Sequence, residues 1–478
     1  MRQLFILSVS CLMAMNIMAT NKEVKTYAEL KAAISSVTPG DTIYLHEGIY
    51  QIPAQITIKE PIGTEDKMIV MAGYPGEKRP VLDCEHKAQY ALYIKTKYWH
   101  FKDMEVINAL HNGIRLEYSE NCIVENIALH DNNDTGLQID KGSAYNIIKN
   151  CDSYHNADAT NENADGFAPK MNIGTGNYFY GCRSWENADD GYDGYLRGEV
   201  RDVTTYYDHC IAYRNGYLGE DPSKGDGNGF KLGGYDNGVP RAHNFVVICC
   251  ISAENRHKGF DRNSNVGSIA IYNCSAYNNG TTTADANYAF PKGKNNVQQG
   301  GHDITLKNCI SYSKDDRDFM MKCTPYKEEH NSWDMGGCNT DDFKSIDANE
   351  LIAARNVDGS LPNFSFMTLK ESSRFIDAGD NVGLEYSGTA PDMGWKEYVE
   401  DNEKTVSETS DIKVTHEGNS INVESNRPFP HFCLYNADGL LIAENTGYRS
   451  HASIRVSDSN SYLLRIFLDG KQYVYKIK

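Results

Sequence analysis

Cys182-Arg183-Ser184-Trp185-Glu186-Asn187 is one of six segments that align with one another along the chain. The others are Cys151–Asn156, Cys210–Asn215, Cys250–Asn255, Cys274–Asn279 and Cys309–Lys314, with an earlier copy at Ile127–Asn132. Successive starts lie 24, 31, 28, 40, 24 and 35 residues apart. A period this short and this variable marks the coils of a solenoid whose connecting loops differ in length. Each copy alternates as a strand does and closes near an asparagine. Such an asparagine can stack on its neighbours and hydrogen-bond the turn backbone, forming a ladder. Tyr154, Trp185, Tyr213, Tyr277 and Tyr312 recur in step and are read as packing. A leucine-rich repeat is the competing solenoid, but its leucine consensus is absent. The expected fold class is all-β, a parallel β-helix, right-handed by the general handedness of parallel crossovers.

Working outward, an amphipathic helix over Tyr27–Ile34 precedes the turn and strand Pro39–Leu45, at the place where a solenoid needs a cap for its open edge. The repeat is legible from about residue 100 and fades after 320. A helical stretch, Ala348–Arg355, and a loop-rich run to Gly394 read as the C-terminal closure. Residues 401–412 read as a charged linker, and 413–478 as a small β-sandwich-like domain with turns at Asn436–Gly439 and Asp469-Gly470. Residues 1–19 read as a secretory signal, with Arg2 in its charged region, an apolar stretch from Leu4 to Met18 and cleavage after Ala19. A lipid anchor on Cys11 fits poorly, and no other apolar run is long enough to span a bilayer. The β-helix domain is thus expected over residues 20–400.

The 478 residues carry a net charge of −18, which excludes nucleic acid as a natural partner. Low hydropathy, 40 Gly and 31 Tyr suit a turn-rich β protein. Most of the 13 cysteines recur at one repeat position, where each can serve as a small buried hydrophobe. Stacked neighbours could also be close enough to bridge, so both redox states stay open.

A second phrase follows each asparagine: a residue, glycine, an apolar residue, and one more. It reads Asn112-Gly113-Ile114, Thr135-Gly136-Leu137-Gln138, Asp165-Gly166-Phe167-Ala168, Asp190-Gly191-Tyr192-Asp193, Asn228-Gly229-Phe230-Lys231 and Lys258-Gly259-Phe260-Asp261. If the glycines stack, Asp165 lies one rung from Asp190, and Asp193 one rung from Lys231, with Asp261 beyond. Rungs are about 4.8 Å apart, and side chains alternate in and out along a strand. Asp165, Asp189, Asp190, Asp193 and Lys231 therefore fall together on one exposed face. Clustered carboxylates repel unless a cation joins them, and Ca2+ takes roughly six to eight oxygen ligands. Such an ion could also bind a uronate carboxylate and acidify the C5 proton. Lys231, with an ordinary pKa of about 10.4, must be neutral to take that proton. The carbanion would then expel the C4 oxygen by β-elimination. Lys170, Arg197, Lys258 and Arg262 are candidates to hold further substrate carboxylates.

Together, Asn163–Phe167, Gly181–Trp185, Asp189–Asp193 and Gly229–Gly234 resemble family nine polysaccharide lyases, from about residue 25 to 395. The resemblance implies a right-handed parallel β-helix, a calcium site of four aspartates and a lysine base. Asp165, Asp189, Asp190 and Asp193 match the ligands, and Lys231 the base. It also implies pectin as substrate, either polygalacturonate or the rhamnogalacturonan I backbone. The final residues resemble, more loosely, the C-terminal sorting domains of Bacteroidetes secretion. The expectation is a monomeric protein exported by a Gram-negative bacterium to the periplasm, surface or medium. A β-helix glycoside hydrolase would use two carboxylates and leave Lys231 without a role. A calcium-stabilised polysaccharide-binding protein would bind without turnover.

Overall fold

The computed structural model describes residues 19–478 apart from 200–201, 236–240, 283–284, 291–301, 315–316, 323–325, 385, 399–411, 418–419, 430, 437–440, 446–448, 457–461, 469–470 and 478. Residues 1–18 of the expected signal, 401–411 of the linker, 437–439 of the first C-terminal turn and the whole of the second lie outside the described residues.

Each central coil contributes three short strands. In one coil these are Ile147–Lys149, Asp152–Tyr154 and Phe167–Pro169. Each pairs in parallel with its counterpart in the next coil: Ile147 with Tyr178, Asp152 with Arg183 and Phe167 with Tyr192. The first two kinds of strand build a twenty-stranded sheet, and the third a ten-stranded sheet. Parallel stacking begins with Asn21–Val24 on Thr42–Leu45, well before the repeat becomes legible. The early coils turn Ile43, Leu45, Ile69, Met71 and Phe101 inward and bury them, but without a repeated phrase to mark them.

The repeat phrase encodes two corners. The residue before each cysteine is left-handed: φ is 52° at Asn150, 51° at His209 and 49° at Asn273. So is the residue before each closing asparagine: φ is 53° at His155, 49° at Glu186 and 50° at Arg214. Such backbone is costly for most residues, so something must hold it. At the second corner the asparagine ladder does. Asn156 Nδ2 donates to Asn187 Oδ1 at 2.8 Å, Asn187 to Asn215 at 3.0 Å, Asn215 to Asn255 at 3.0 Å and Asn255 to Asn279 at 2.8 Å. The repeat cysteines are buried free thiols. Their S–H groups donate to backbone carbonyls, as Cys182 does to Ile148 O at 3.3 Å.

The expected N-terminal helix forms over Tyr27–Ile34 and buries Leu30, Ala33 and Ile34 in the coil core. Thr26 Oγ1 caps it, accepting from Glu29 N at 3.2 Å. The stretch expected to be helical after Ala348 is a short 3-10 turn, Ala348–Ile352. Residues 340–395 do not close the end of the solenoid. They run along its flank, where Phe343, Leu351, Phe366 and Trp395 pack on Tyr213, Ile251, Tyr277 and Ile310. This apolar cover is why the outward aromatics are packing residues. Tyr154 and Trp185 stack at 4.3 Å, and Tyr277 and Tyr312 at 5.4 Å.

The C-terminal unit has a three-stranded and a four-stranded antiparallel sheet. Val423 and Ile454 of one share a buried core with Leu434 and Ile466 of the other, which makes it a small sandwich.

Candidate functional site

The site lies on the ten-stranded sheet, and its register follows the glycine phrase. Tyr192 pairs with Phe230, Asp193 with Lys231, and Lys231 with Asp261. The inward rings set this spacing. Phe167, Tyr192, Phe230 and Phe260 stack in sequence, with centroids 5.3, 4.5 and 4.9 Å apart. Gly191 is needed because a Cβ there would lie 2.6 Å from Gly229 O and 2.8 Å from Asn215 Nδ2. The close stacking of coils thus presses the chain together just where the acidic residues leave it.

Asp165, Asp189, Asp190, Asp193 and Lys231 do converge, but on a buried floor rather than an exposed face. Asp165 and Asp190 are fully buried, and Asp193 and Lys231 are only 4% and 9% exposed. The Asp165, Asp190 and Asp193 carboxylates each offer an oxygen within 4.8 Å of the others. Asp189 joins a second such group, with Asp190 and Asp226. Asp190 Oδ1 accepts from Asn228 N and Nδ2, both at 2.8 Å, and Oδ2 meets Lys231 Nζ at 2.8 Å. Lys231 Nζ also lies 3.2 Å from Asp226 Oδ2 and 3.9 Å from Asp193 Oδ1.

Burial and crowding set the charge states. Burial, with Asp193 and Asp190 beside it, pushes Asp165 up to about 8 despite Lys170. Burial also pushes Asp190 up to about 6 against the pull of Lys231. Burial disfavours the Lys231 ammonium, yet Asp190, Asp193, Asp189 and Asp226 outweigh it and hold the group well above the usual range. An all-oxygen donor set whose carboxylates resist ionising together is chemically suited to a hard divalent cation.

The site floors a groove of about 1190 Å3 that reaches back along the coils past Gln138 to Arg115. Its wall includes the loop carrying Lys224, Gly225 and Asp226. That loop is tied down by Arg256 Nη1 to Gly225 O at 2.7 Å and by Lys224 N to Asn161 O at 3.2 Å. Of the four cations expected to meet substrate, Lys170 is in the site and Arg197 is exposed on the groove wall, 5.5 Å from the Tyr195 ring. Lys258 lies outside the groove lining and pairs with Asp261 at 3.3 Å. Arg262 is fully buried and cannot meet a polymer. It follows the outward Asp261, so strand alternation turns it inward. Asp226 escaped the sequence reading because it sits in the long loop before Asn228, outside any repeated phrase.

The profile of the family described as "Pel9A-like, right handed beta helix region" matches residues 13–331. Pectate lyase L of Dickeya dadantii is 35% identical over 381 residues, covering 76% of this chain and 84% of that protein. Pectate lyase PEL9 of Emericella nidulans is 31% identical over 372 residues, covering 71% and 86%. A crystal structure of pectate lyase Pel9A superposes with a TM-score of 0.68 at 32% identity, covering 80% of this chain and 97% of that one. A rhamnogalacturonan lyase shares the fold, with a TM-score of 0.63 at 24% identity over 73% of this chain and 97% of that one. The chain belongs to the Pel9A-like right-handed β-helix family, the polysaccharide lyases that its motifs resemble.

Proposed function

We propose that this chain is an exported, calcium-dependent pectic lyase that cleaves galacturonate-containing chains by β-elimination. The observation that carries the reading is the seat of Lys231, 2.8 Å from Asp190, beside an all-oxygen cluster on the floor of a long groove. The names of the relatives support pectate as the substrate class, and the signal-like N-terminus supports export.

Asp165, Asp190 and Asp193 would hold the ion, with Asp189 completing the set. Bound there, calcium would neutralise the aspartates and a substrate carboxylate together, making the C5 proton more acidic and freeing Lys231 from its ammonium form. Lys231 accepts the C5 proton. The C5–H electron pair becomes the C4–C5 double bond, and the C4–O bond breaks with its pair leaving on the oxygen of the neighbouring sugar. Asn228 fixes Asp190 through two hydrogen bonds, and Asp190 in turn fixes the lysine. A hydrolase would need no such amine.

The test is ultraviolet absorbance during incubation with polygalacturonate and, separately, rhamnogalacturonan I, each with calcium and with chelator. A rise that chelator abolishes is expected, and the responding polymer names the substrate. New reducing ends without that rise would mean hydrolysis. Lys231→Ala should lose activity by roughly 10²–10⁴-fold, the usual worth of a positioned base, while calorimetry still detects calcium binding.

A further inference from the structure

Asp165 and Asp193 each have one oxygen committed to the backbone. Asp165 Oδ1 accepts from Asp190 N at 3.2 Å, and Asp193 Oδ1 from Tyr195 N at 3.0 Å. The other oxygen of each faces the cluster, and Lys170 holds both. Its Nζ lies 2.6 Å from Asp165 Oδ2 and 3.0 Å from Asp193 Oδ2. Thr135 Oγ1 also reaches Asp165 Oδ2, at 3.2 Å. Calcium sits roughly 2.3–2.6 Å from its oxygens. An ion bridging those two oxygens would therefore occupy nearly the space of the ammonium, and two positive charges cannot share it.

Lys170 lies on the strand side that carries Asp140 on the coil before, since Lys170 N donates to Ile139 O at 3.2 Å. Its side chain also lines the groove. It therefore has somewhere to go without any backbone change.

We propose that Lys170 is the resident counter-ion of the metal-free site, and that calcium displaces its ammonium from Asp165 and Asp193 into the groove. This rests on the calcium reading above and adds an exchange to it. The ion that completes the site also turns a cation toward the polymer, so metal loading and substrate capture are linked through one side chain. Without calcium the lysine is the close ion partner of the buried Asp193 and also holds the buried Asp165 oxygen, and its loss would leave a buried charge poorly compensated, which is destabilising. With calcium it becomes available to a uronate carboxylate.

The first test uses calcium alone, titrated calorimetrically into chelator-stripped wild type and Lys170→Met. Removing a competitor raises apparent affinity by the reciprocal of the fraction of sites it left open, so with about one site in ten open the variant should bind calcium about tenfold more tightly. Equal or weaker binding by the variant would overturn the exchange while leaving the calcium reading intact. No binding by either protein would sink both. The second test needs no variant. Wild type is treated with an amine-acylating reagent, with calcium and with chelator, and labelling is read by mass spectrometry against the exposed Lys87. Labelling of Lys170 should rise severalfold with calcium, and unchanged labelling would overturn the proposal. At saturating calcium, Lys170→Met should raise KM more than it lowers kcat. A fall confined to kcat would count against delivery to the polymer.

Discussion

Asp165 and Asp193 share one lysine yet titrate in opposite directions. Burial and two neighbouring carboxylates hold Asp165 at about 8, whereas Lys231 and Lys170 together overcome the burial of Asp193 and hold it below the usual carboxylate range. The first of these has a consequence for stability. In the unfolded chain an aspartate titrates at about 3.9. Between that pH and about 8 the folded state carries the extra proton, so stability falls as pH rises through this window. The melting temperature in chelator should therefore drop from pH 6 to pH 8.5. Asp165→Asn should flatten that slope, and a slope equal to wild type would assign it to another group. The sequence exposed four aspartates and the lysine because the glycine phrase counts rungs. It did not expose Asp226, since a loop has no register, nor the inward turn of Arg262, which was judged by charge rather than by its place after Asp261.

At the scale of the element, the coil is three short strands, two left-handed corners and an asparagine that ties the second corner to the next coil. Asn187 shows the cost of losing that tie. Its Nδ2 donates to Ser153 O, Ser184 Oγ and Asn215 Oδ1, each at 3.0 Å, and its Oδ1 accepts from Asn156. Asn187→Ala removes a hydrogen bond from buried groups on three coils and should cost about 1–3 kcal/mol in urea unfolding. Asn187→Ser would recover little, because it cannot span to the next coil. These elements were readable because cysteine, asparagine and glycine each answer a backbone demand that recurs. The coils before residue 100 meet the same geometry with apolar alternation alone, and a pattern of inward isoleucines and leucines does not announce its period.

At the scale of the molecule, one carboxylate fastens the flanking segment to the solenoid. Asp152 is bridged by Arg183 Nε at 2.8 Å and Arg355 Nη2 at 2.7 Å. Arg183 reaches on to Leu351 O at 3.1 Å. Asp152→Ala strands two buried guanidinium groups and should cost about 3–5 kcal/mol, with residues 340–395 becoming the first region to yield to protease. The sequence placed this segment but not its course, because a run of loops carries no periodicity to say which surface it covers. The asymmetry of the solenoid is longitudinal. Within the solenoid each coil pairs only with its neighbours, so once the flanking segment has come away opening is expected to proceed inward from the ends. Of the ten strands in the site sheet, Phe167–Pro169, Tyr192–Asp193 and Phe230–Lys231 are the fifth, sixth and seventh. The floor of the proposed site is thus the stretch that fraying reaches last. Warming would shorten the molecule like a zipper opened from both ends, and the chemistry would persist until almost nothing else did.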